Sequence, residues 1–234
     1  MKYLQTEAIM GDNDSAEDAV ISTQRIELQL ADLQQRLAQL DDGAPPRERL
    51  QLELDIGYNL LQLNRFEEAH ELARSAFDRA LAAQQWQQAV EACDILFQSD
   101  RDDAIPALAH GIWLGVTFPI DPELTVAMLQ HLIDETPDRS DGAAVAAAVA
   151  NYIVDLRADE AQRENLLFFT NQLLGQVARR HSQVEEQEIF DFWVQQLELD
   201  DPGKFLPRLA KVLEVLVRDQ WWYDRDKLRE LIPD

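Results

Sequence analysis

Apolar side chains recur at intervals of three and four residues from residue 26 almost to the end of this chain, and this spacing most constrains the fold. An α-helix turns once every ~3.6 residues, so the spacing collects the apolar side chains of each segment on one face. Glycine (8 residues) and proline (9) are too scarce among 234 residues to supply the turns of a many-stranded sheet. The sequence therefore predicts an all-α protein.

Short breaks divide the pattern into about nine to eleven helices. Clear breaks lie at Asn64-Arg65, Gln84-Gln85, Ser99-Asp100 and residues 200–203. After a first helix within 19–43, we predict helices over 50–61, 68–81, 86–97, 104–117, 122–135, 142–157, 160–181, 185–199 and 204–220. Connections this short favour an array of helical hairpins similar to an α-solenoid.

The segment 19–43 carries a seam of apolar residues at spacings of 4, 3, 4 and 3. The members of this seam are Ile26, Leu30, Leu33, Leu37 and Leu40. Ser22 is the predicted N-cap and Gly43 the predicted C-terminal stop. Such a seam is typical of a helix that forms a homodimer through residues 26–40. Because it lasts only about two to three heptads, we favour the alternative, a first helix packed within its own domain.

The stretch "LQLELDIGYNLLQLNRFEEAHELARSAF" (residues 50–77) resembles a tetratricopeptide repeat. Gly57-Tyr58 match the small and aromatic positions of its first helix, Phe66 to Ala69 match the start of its second, and Ala76 matches a small position near its end. A weaker match extends to Pro137. The resemblance implies close-packed hairpins, with Tyr58 and Phe66 filling the wedge between them, and a concave surface for another protein. We therefore predict a tetratricopeptide-like domain over 47–234, preceded by a mobile acidic arm at 1–18.

Acidic residues outnumber basic residues 44 to 21, which gives a formal net charge of −23. Such a surface repels phosphate backbones, so we expect no direct nucleic-acid binding. The charge favours a basic or amphipathic protein partner, or serves solubility alone. The longest nearly uncharged run, residues 104–120, is interrupted by two prolines and is too short to span a membrane. One cysteine and no signal peptide at the start lead us to expect a cytoplasmic protein.

Motifs for catalysis are few. The sequence has no phosphate-binding glycine motif and no H-E-x-x-H. Glu67 and His70 have a spacing used by di-iron bundles, but such a site needs a second copy and two further glutamates. Cys93 falls on an apolar spacing, so we expect a buried structural thiol. We predict no catalytic residue, no metal and no cofactor.

Three adjacent aromatic residues near the end, Trp221, Trp222 and Tyr223, pose a geometric conflict. If the helix from Lys204 continued through them, it could not bury all three rings on one face. Either the helix stops near Asp219 and a short helix capped by Asp224 covers the tryptophans, or the rings dock a partner.

Phe192 raises a similar question, because it points away from the predicted buried stripe that contains Trp193. In a layered array of helices we expect a second layer to cover Phe192; otherwise it is exposed. Phe192 and the three adjacent aromatic residues are the candidate partner-binding residues.

The function predicted from these features is a non-enzymatic protein–protein interaction module: a scaffold, adaptor or assembly chaperone that holds a basic or amphipathic segment on an acidic helical surface. One alternative is a regulatory domain that binds a small molecule near Trp86 and Trp113. A less favoured alternative is an enzyme with a metal or carboxylate site.

Overall fold

The computed structural model describes residues 2–4, 16–41, 43–218 and 220–232, and within these ranges it contains eleven helices and no strand. The all-α prediction is therefore confirmed. The helices are α1 Ala16–Gln39, α2 Pro46–Gln62, α3 Phe66–Ala82, α4 Trp86–Gln98, α5 Ala104–Thr117, α6 Pro122–Glu135, α7 Asp141–Arg157, α8 Glu160–Ser182, α9 Gln187–Gln196, α10 Pro202–Val217 and α11 Arg225–Arg229. None of the helices in the described ranges combines the length and apolar character needed to cross a membrane.

The limits predicted for the first helix are wrong at both ends. Helix α1 begins at Ala16, so Ser22 lies inside it and is not its N-cap. At the other end α1 stops at Gln39, and Gly43 lies in a separate turn in which its N–H donates to Asp41 (3.1 Å).

Part of the segment predicted as a mobile arm is bound. The backbone N–H groups of Tyr3 and Leu4 donate to one carboxylate oxygen of Glu123, at 2.7 and 3.2 Å, and the Leu4 side chain is buried. Residues 5–15, which make up most of the predicted arm, lie outside the described residues.

Left-handed residues end most of the helices without the help of glycine. None of the described glycines has a positive φ, whereas seven other described residues do. These are Asn64, Gln84, Asp100, Arg139, Gln183, Glu198 and Arg218. The first three coincide with the breaks predicted between α2, α3, α4 and α5, so polar residues marked the helix ends correctly.

The chain forms two compact units, and the amino-terminal unit covers Gln5–Ala107. In it α1 packs on α2, α2 on α3 and α4, and α3 on α4. Close approach depends on small residues: a Cβ added to Gly57 would lie 2.9 Å from Cδ1 of Ile95 on α4. The face of α3 that contains Ala69 and Ala76 is likewise fully buried.

The aromatic positions of the predicted repeat behave differently from each other. The Tyr58 hydroxyl donates to Asp94 (2.8 Å), which links α2 to α4. Phe66 is exposed, so the expectation that it fills a wedge between hairpins is wrong. As the first residue of α3, Phe66 lies at the end of the hairpin rather than between its helices.

The leucine seam of α1 packs inside the same unit. Leu30 and Leu33 are buried, and Ile26, Leu37 and Leu40 are half-buried. Since α2 is the helix on which α1 packs, the seam is used within the chain. Its use in a homodimer stays a prediction.

The carboxy-terminal unit combines Met1–Leu4 with Leu108–Asp234. Helices α6, α7 and α8 pack in sequence, and α10 packs on α7 although α8 and α9 lie between them in the chain. The alanine-rich stretch 143–150 of α7 is buried along its whole length, because α7 is surrounded by α6, α8 and α10. Alanine makes α7 thin enough for close approach on several sides.

Arg157, Arg180 and Arg208 of this unit each donate to a carbonyl group at the end of another helix. A helix end leaves its last carbonyls without intrahelical partners, and a guanidinium offers several donors in a fixed fork. The bonds are Arg157 to Val116 at the end of α5 (2.6 Å), Arg180 to Ile133 at the end of α6 (2.9 Å) and Arg208 to Leu197 at the end of α9 (2.5 Å). These arginines therefore act as C-terminal caps supplied from elsewhere in the chain.

Candidate partner-binding surface

The adjacent aromatics follow a helix break, as one of the two alternatives requires. Helix α10 ends at Val217 and Arg218 is left-handed, so Trp221, Trp222 and Tyr223 lie in the connection to α11. Asp224 caps α11 by accepting hydrogen bonds from two backbone N–H groups, and those bonds lower the pKa of its carboxyl group. The break removes the geometric conflict, because each ring can now turn in its own direction.

His110 on α5 is the centre on which these rings assemble. The ring of Trp222 stacks on it, with centroids 4.1 Å apart and planes within 14°. The backbone N–H of Trp222 donates to His110 Nε2 (2.9 Å), and the Tyr223 hydroxyl donates to the His110 carbonyl (3.0 Å). Since a backbone N–H can only donate, Nε2 of the fully buried imidazole accepts this hydrogen bond.

Trp221 is held from the other side by charged residues. Its indole N–H donates to Glu214 (3.1 Å), and the guanidinium of Arg225 lies 4.1 Å over its ring and pairs with the same carboxylate. The hydrogen bond from Trp221, together with Arg225, lowers the pKa of Glu214. The three rings thus bind α5 and α10 of their own chain, in the manner of the structural cap; partner docking through them stays a prediction.

Phe192, by contrast, points into solvent. Its side chain is 63 % exposed, and Ile189, one turn earlier on α9, is 50 % exposed. The expectation that a second layer covers Phe192 is wrong, because only the opposite side of α9 is packed against the fold. Ile189 was not a predicted site residue; its spacing of three from Phe192 was the signal that pairs the two side chains on one face.

Trp193 fixes this orientation of α9. It is buried, its indole N–H donates to His181 Nδ1 on α8 (3.2 Å), and the two rings meet edge to face at 5.8 Å. His181 is held in turn by Asp141, which lies 3.0 Å from its Nε2. With Trp193 anchored inward, Phe192 projects away from the packed side, and Ile189, four residues before Trp193, lies at the border of that side and is half exposed.

Ser182 also approaches His181 Nδ1 (2.6 Å), so serine, histidine and aspartate stand in one chain of contacts. In nucleophilic catalysis the imidazole lone pair takes the proton of the serine. Here the N–H of Trp193 already donates to that same nitrogen. The arrangement therefore serves to anchor α9.

The charged residues of the segment that carries the exposed apolar pair are all carboxylates. Residues 184–196 contain Glu185, Glu186, Glu188 and Asp191 but no lysine or arginine. Glu188 stands one turn before Phe192 on the same side of the helix, and all four carboxylates are exposed. We call the group of Glu185, Glu188, Ile189, Asp191 and Phe192 the α9 surface.

The residues weighed for metal or nucleophilic chemistry have other partners. His70 binds Asp103 (2.8 Å), and Glu67 lies 3.8 Å from Arg101, so both residues tie α3 to the loop before α5. Over the described ranges, no group of three side chains is arranged to hold a metal ion. Cys93 is fully buried, and burial raises the pKa of its thiol well above the ordinary value.

Comparison with known proteins finds no matching family model, no matching curated protein and no matching solved structure. The tetratricopeptide resemblance of residues 50–77 therefore stays a prediction.

Proposed function

We propose that this chain is a non-enzymatic protein–protein interaction module whose α9 surface binds a basic amphipathic helix of a partner protein. The observation that carries the proposal is the exposed pair Ile189 and Phe192 on α9, a helix that the buried Trp193 anchors to the fold and whose own charged residues are all carboxylates. Roles as a scaffold, adaptor or assembly chaperone, and a cytoplasmic location suggested by the single cysteine, belong to the same proposal.

The apolar pair supplies the attraction. Burying an exposed phenylalanine side chain against a partner stabilises a complex by about 1.5–3 kcal/mol, and aromatic anchors of this kind dominate many interfaces. Ile189 extends the contact along one turn of α9. A partner helix with apolar residues three and four positions apart can cover both side chains at once.

The carboxylates decide which partner fits. An acidic helix would place like charges beside Glu185, Glu188 and Asp191, whereas lysines and arginines flanking the apolar stripe would lie opposite them. The net charge of −23 attracts such a partner from a distance. The partner we infer is therefore a helix with one aliphatic stripe bordered by basic residues.

The test uses a synthetic helical peptide of leucine and lysine, titrated by calorimetry or fluorescence anisotropy. We expect Phe192→Ser to weaken binding about tenfold or more, because it removes the anchor while leaving every charge in place. Phe168→Ser is the matched control: Phe168 is 65 % exposed on α8, outside the α9 surface, and its loss should leave binding within about twofold.

A leucine–glutamate peptide of the same length is the charge control and should not bind. Equal weakening by both phenylalanine substitutions, or none by either, would show that the lysine peptide binds the acidic surface without using α9. Such a result would overturn the proposal.

A further inference from the structure

The amino-terminal unit contains a hollow of about 420 Å³ at one end of the α2–α3 hairpin. It lies where α2 begins and α3 ends, far along the chain from the α9 surface. Its lining residues are Ala44, Pro46, Arg49, Leu50, Arg79, Ala82 and Ala83. Apart from the two arginines the lining is apolar, and a concave apolar site with a few convergent polar groups is the usual form of a small-molecule site.

The charged lining is cationic, which contrasts with the net charge of −23 of the chain. Arg79 is fixed by Glu53: its two terminal nitrogens lie 2.9 and 2.6 Å from the two carboxylate oxygens. Arg49 is half-buried and its guanidinium makes no hydrogen bond or ion pair with any described residue. The hollow thus offers the guanidinium of Arg79, which Glu53 engages, and that of Arg49, which no described side chain engages, beside an apolar lining.

We infer that this hollow binds a small amphiphilic carboxylate, with the carboxylate on Arg49 and the alkyl portion against Leu50, Ala82 and Ala83. A guanidinium presents two parallel N–H donors that match the two oxygens of a carboxylate. The apolar lining removes the alkyl portion from water. Leu50, which is almost fully buried, forms the floor of the hollow and limits how deep the alkyl portion of the ligand enters.

The net charge of the protein makes it possible to distinguish binding at this hollow from general electrostatic attraction. A chain with 44 acidic and 21 basic residues repels anions and attracts cations over most of its surface. Saturable binding of an anionic amphiphile, in preference to its cationic counterpart, would therefore report the local site and not the general charge. The site is independent of α9, so its failure would leave the proposed function untouched.

The experiment compares decanoate with decyltrimethylammonium, titrated by calorimetry below their micelle concentrations. We expect one decanoate per chain and no saturable binding of the cation. Arg49→Gln should weaken decanoate binding about tenfold, because it removes a charge-assisted hydrogen bond. Arg47→Gln is the matched control: Arg47 is exposed two residues earlier on α2 and does not line the hollow, so affinity should stay near the original.

A second variant and a ligand series test the apolar part. Ala82→Leu places a larger side chain in the hollow and should abolish binding while the thermal melt stays close to that of the original protein. From hexanoate to decanoate, affinity should rise by up to about fourfold per methylene that becomes buried. Absence of decanoate binding, equal effects of Arg47→Gln and Arg49→Gln, or preference for the cation would each overturn the inference.

Discussion

Two glycines inside helices, Gly57 and Gly175, meet opposite surroundings. A Cβ on Gly57 would lie 2.9 Å from the terminal methyl group of Ile95, which is fully buried. A Cβ on Gly175 would meet nothing within 4 Å, because this residue borders an open hollow between α8 and α9. A glycine inside a helix costs about 1 kcal/mol relative to alanine. Of these two glycines, only Gly57 has close packing that compensates this cost.

Alanine substitutions should separate the two cases in denaturant unfolding. We expect Gly175→Ala to raise the free energy of unfolding by about 0.5–1 kcal/mol, since it restores helix propensity without a steric conflict. Gly57→Ala should lower it by about 1 kcal/mol, because overpacking of the interior outweighs the same gain in propensity.

The steric origin of the Gly57 effect can be isolated with Ile95→Val, which removes the methyl group in conflict. The double variant Gly57→Ala/Ile95→Val should be more stable than the sum of the single effects predicts, by about 1 kcal/mol. Additive effects would contradict the packing explanation, as would a gain for Gly57→Ala equal to that for Gly175→Ala.

Residue-level features were predictable from the sequence only when their cause was local. The capping role of Asp224 and the burial of Cys93 follow from neighbours within a few positions. The exposure of Phe66 and Phe192 depends on which helices pack beside them, and spacing along one helix does not record that.

At the level of elements, the helices between residues 46 and 217 were predictable almost to their ends, because polar breaks coincide with left-handed residues such as Asn64 and Gln84. The start of α1 was not predictable in this way, because Ser22 has a side chain typical of an N-cap but lies inside the helix. The break after Val217 was one of two alternatives, because the apolar spacing of α10 continues to Tyr223.

Helix α1 provides a test of whether its seam serves the core or a dimer. Leu30 is 4 % exposed and faces α2, whereas Leu28 is 74 % exposed on the other side of the same helix. We expect Leu30→Lys to destabilise the amino-terminal unit by about 2–4 kcal/mol, because it replaces a buried apolar group with a charge. Leu28→Lys should leave the melting temperature unchanged.

Sedimentation of the same variants completes the experiment. Packing within the chain predicts that neither lysine changes the mass of the original species, apart from any unfolded fraction of Leu30→Lys. A dimer that dissociates with Leu30→Lys while the melting temperature is kept would assign the seam to subunit contact instead.

For the whole molecule, the excess of 44 acidic over 21 basic residues makes self-repulsion a general term in stability. Dissolved salt shortens the range of this repulsion from a Debye length of about 30 Å at 0.01 M to about 3 Å at 1 M. Raising sodium chloride from about 0.01 to 0.5 M should therefore increase the melting temperature by about 2–4 °C, as expected for a gain near 1 kcal/mol in a chain of this size.

The control distinguishes screening from preferential exclusion of salt. Screening saturates by about 0.5 M and depends mainly on ionic strength, whereas exclusion by sulfate continues to stabilise at higher concentrations. A melting temperature that falls with sodium chloride would show that attractive ion pairs outweigh the repulsion of the excess carboxylates.

The fold class was predictable from the sequence, but which helices pack on each other was not. Composition and spacing predict an all-α array of helices that pack in sequence, and the structure shows this within each unit. The packing of α10 on α7 was not predictable, because a contact that skips two helices leaves no mark in the spacing of either one. The candidate α9 surface depends on such packing, since Trp193 anchors α9 to His181 on α8.

During synthesis, the ribosome makes α5 and α6 before it makes the arginines that cap their carboxy-terminal ends. Arg157 follows Val116 by 41 residues, and Arg180 follows Ile133 by 47. A ribosome therefore releases α5 and α6 well before the residues that complete them, and their last carbonyls must rely on water in the meantime. Nascent chains arrested before Arg157 should be cut by protease near the end of α5, and chains extended beyond Arg180 should not.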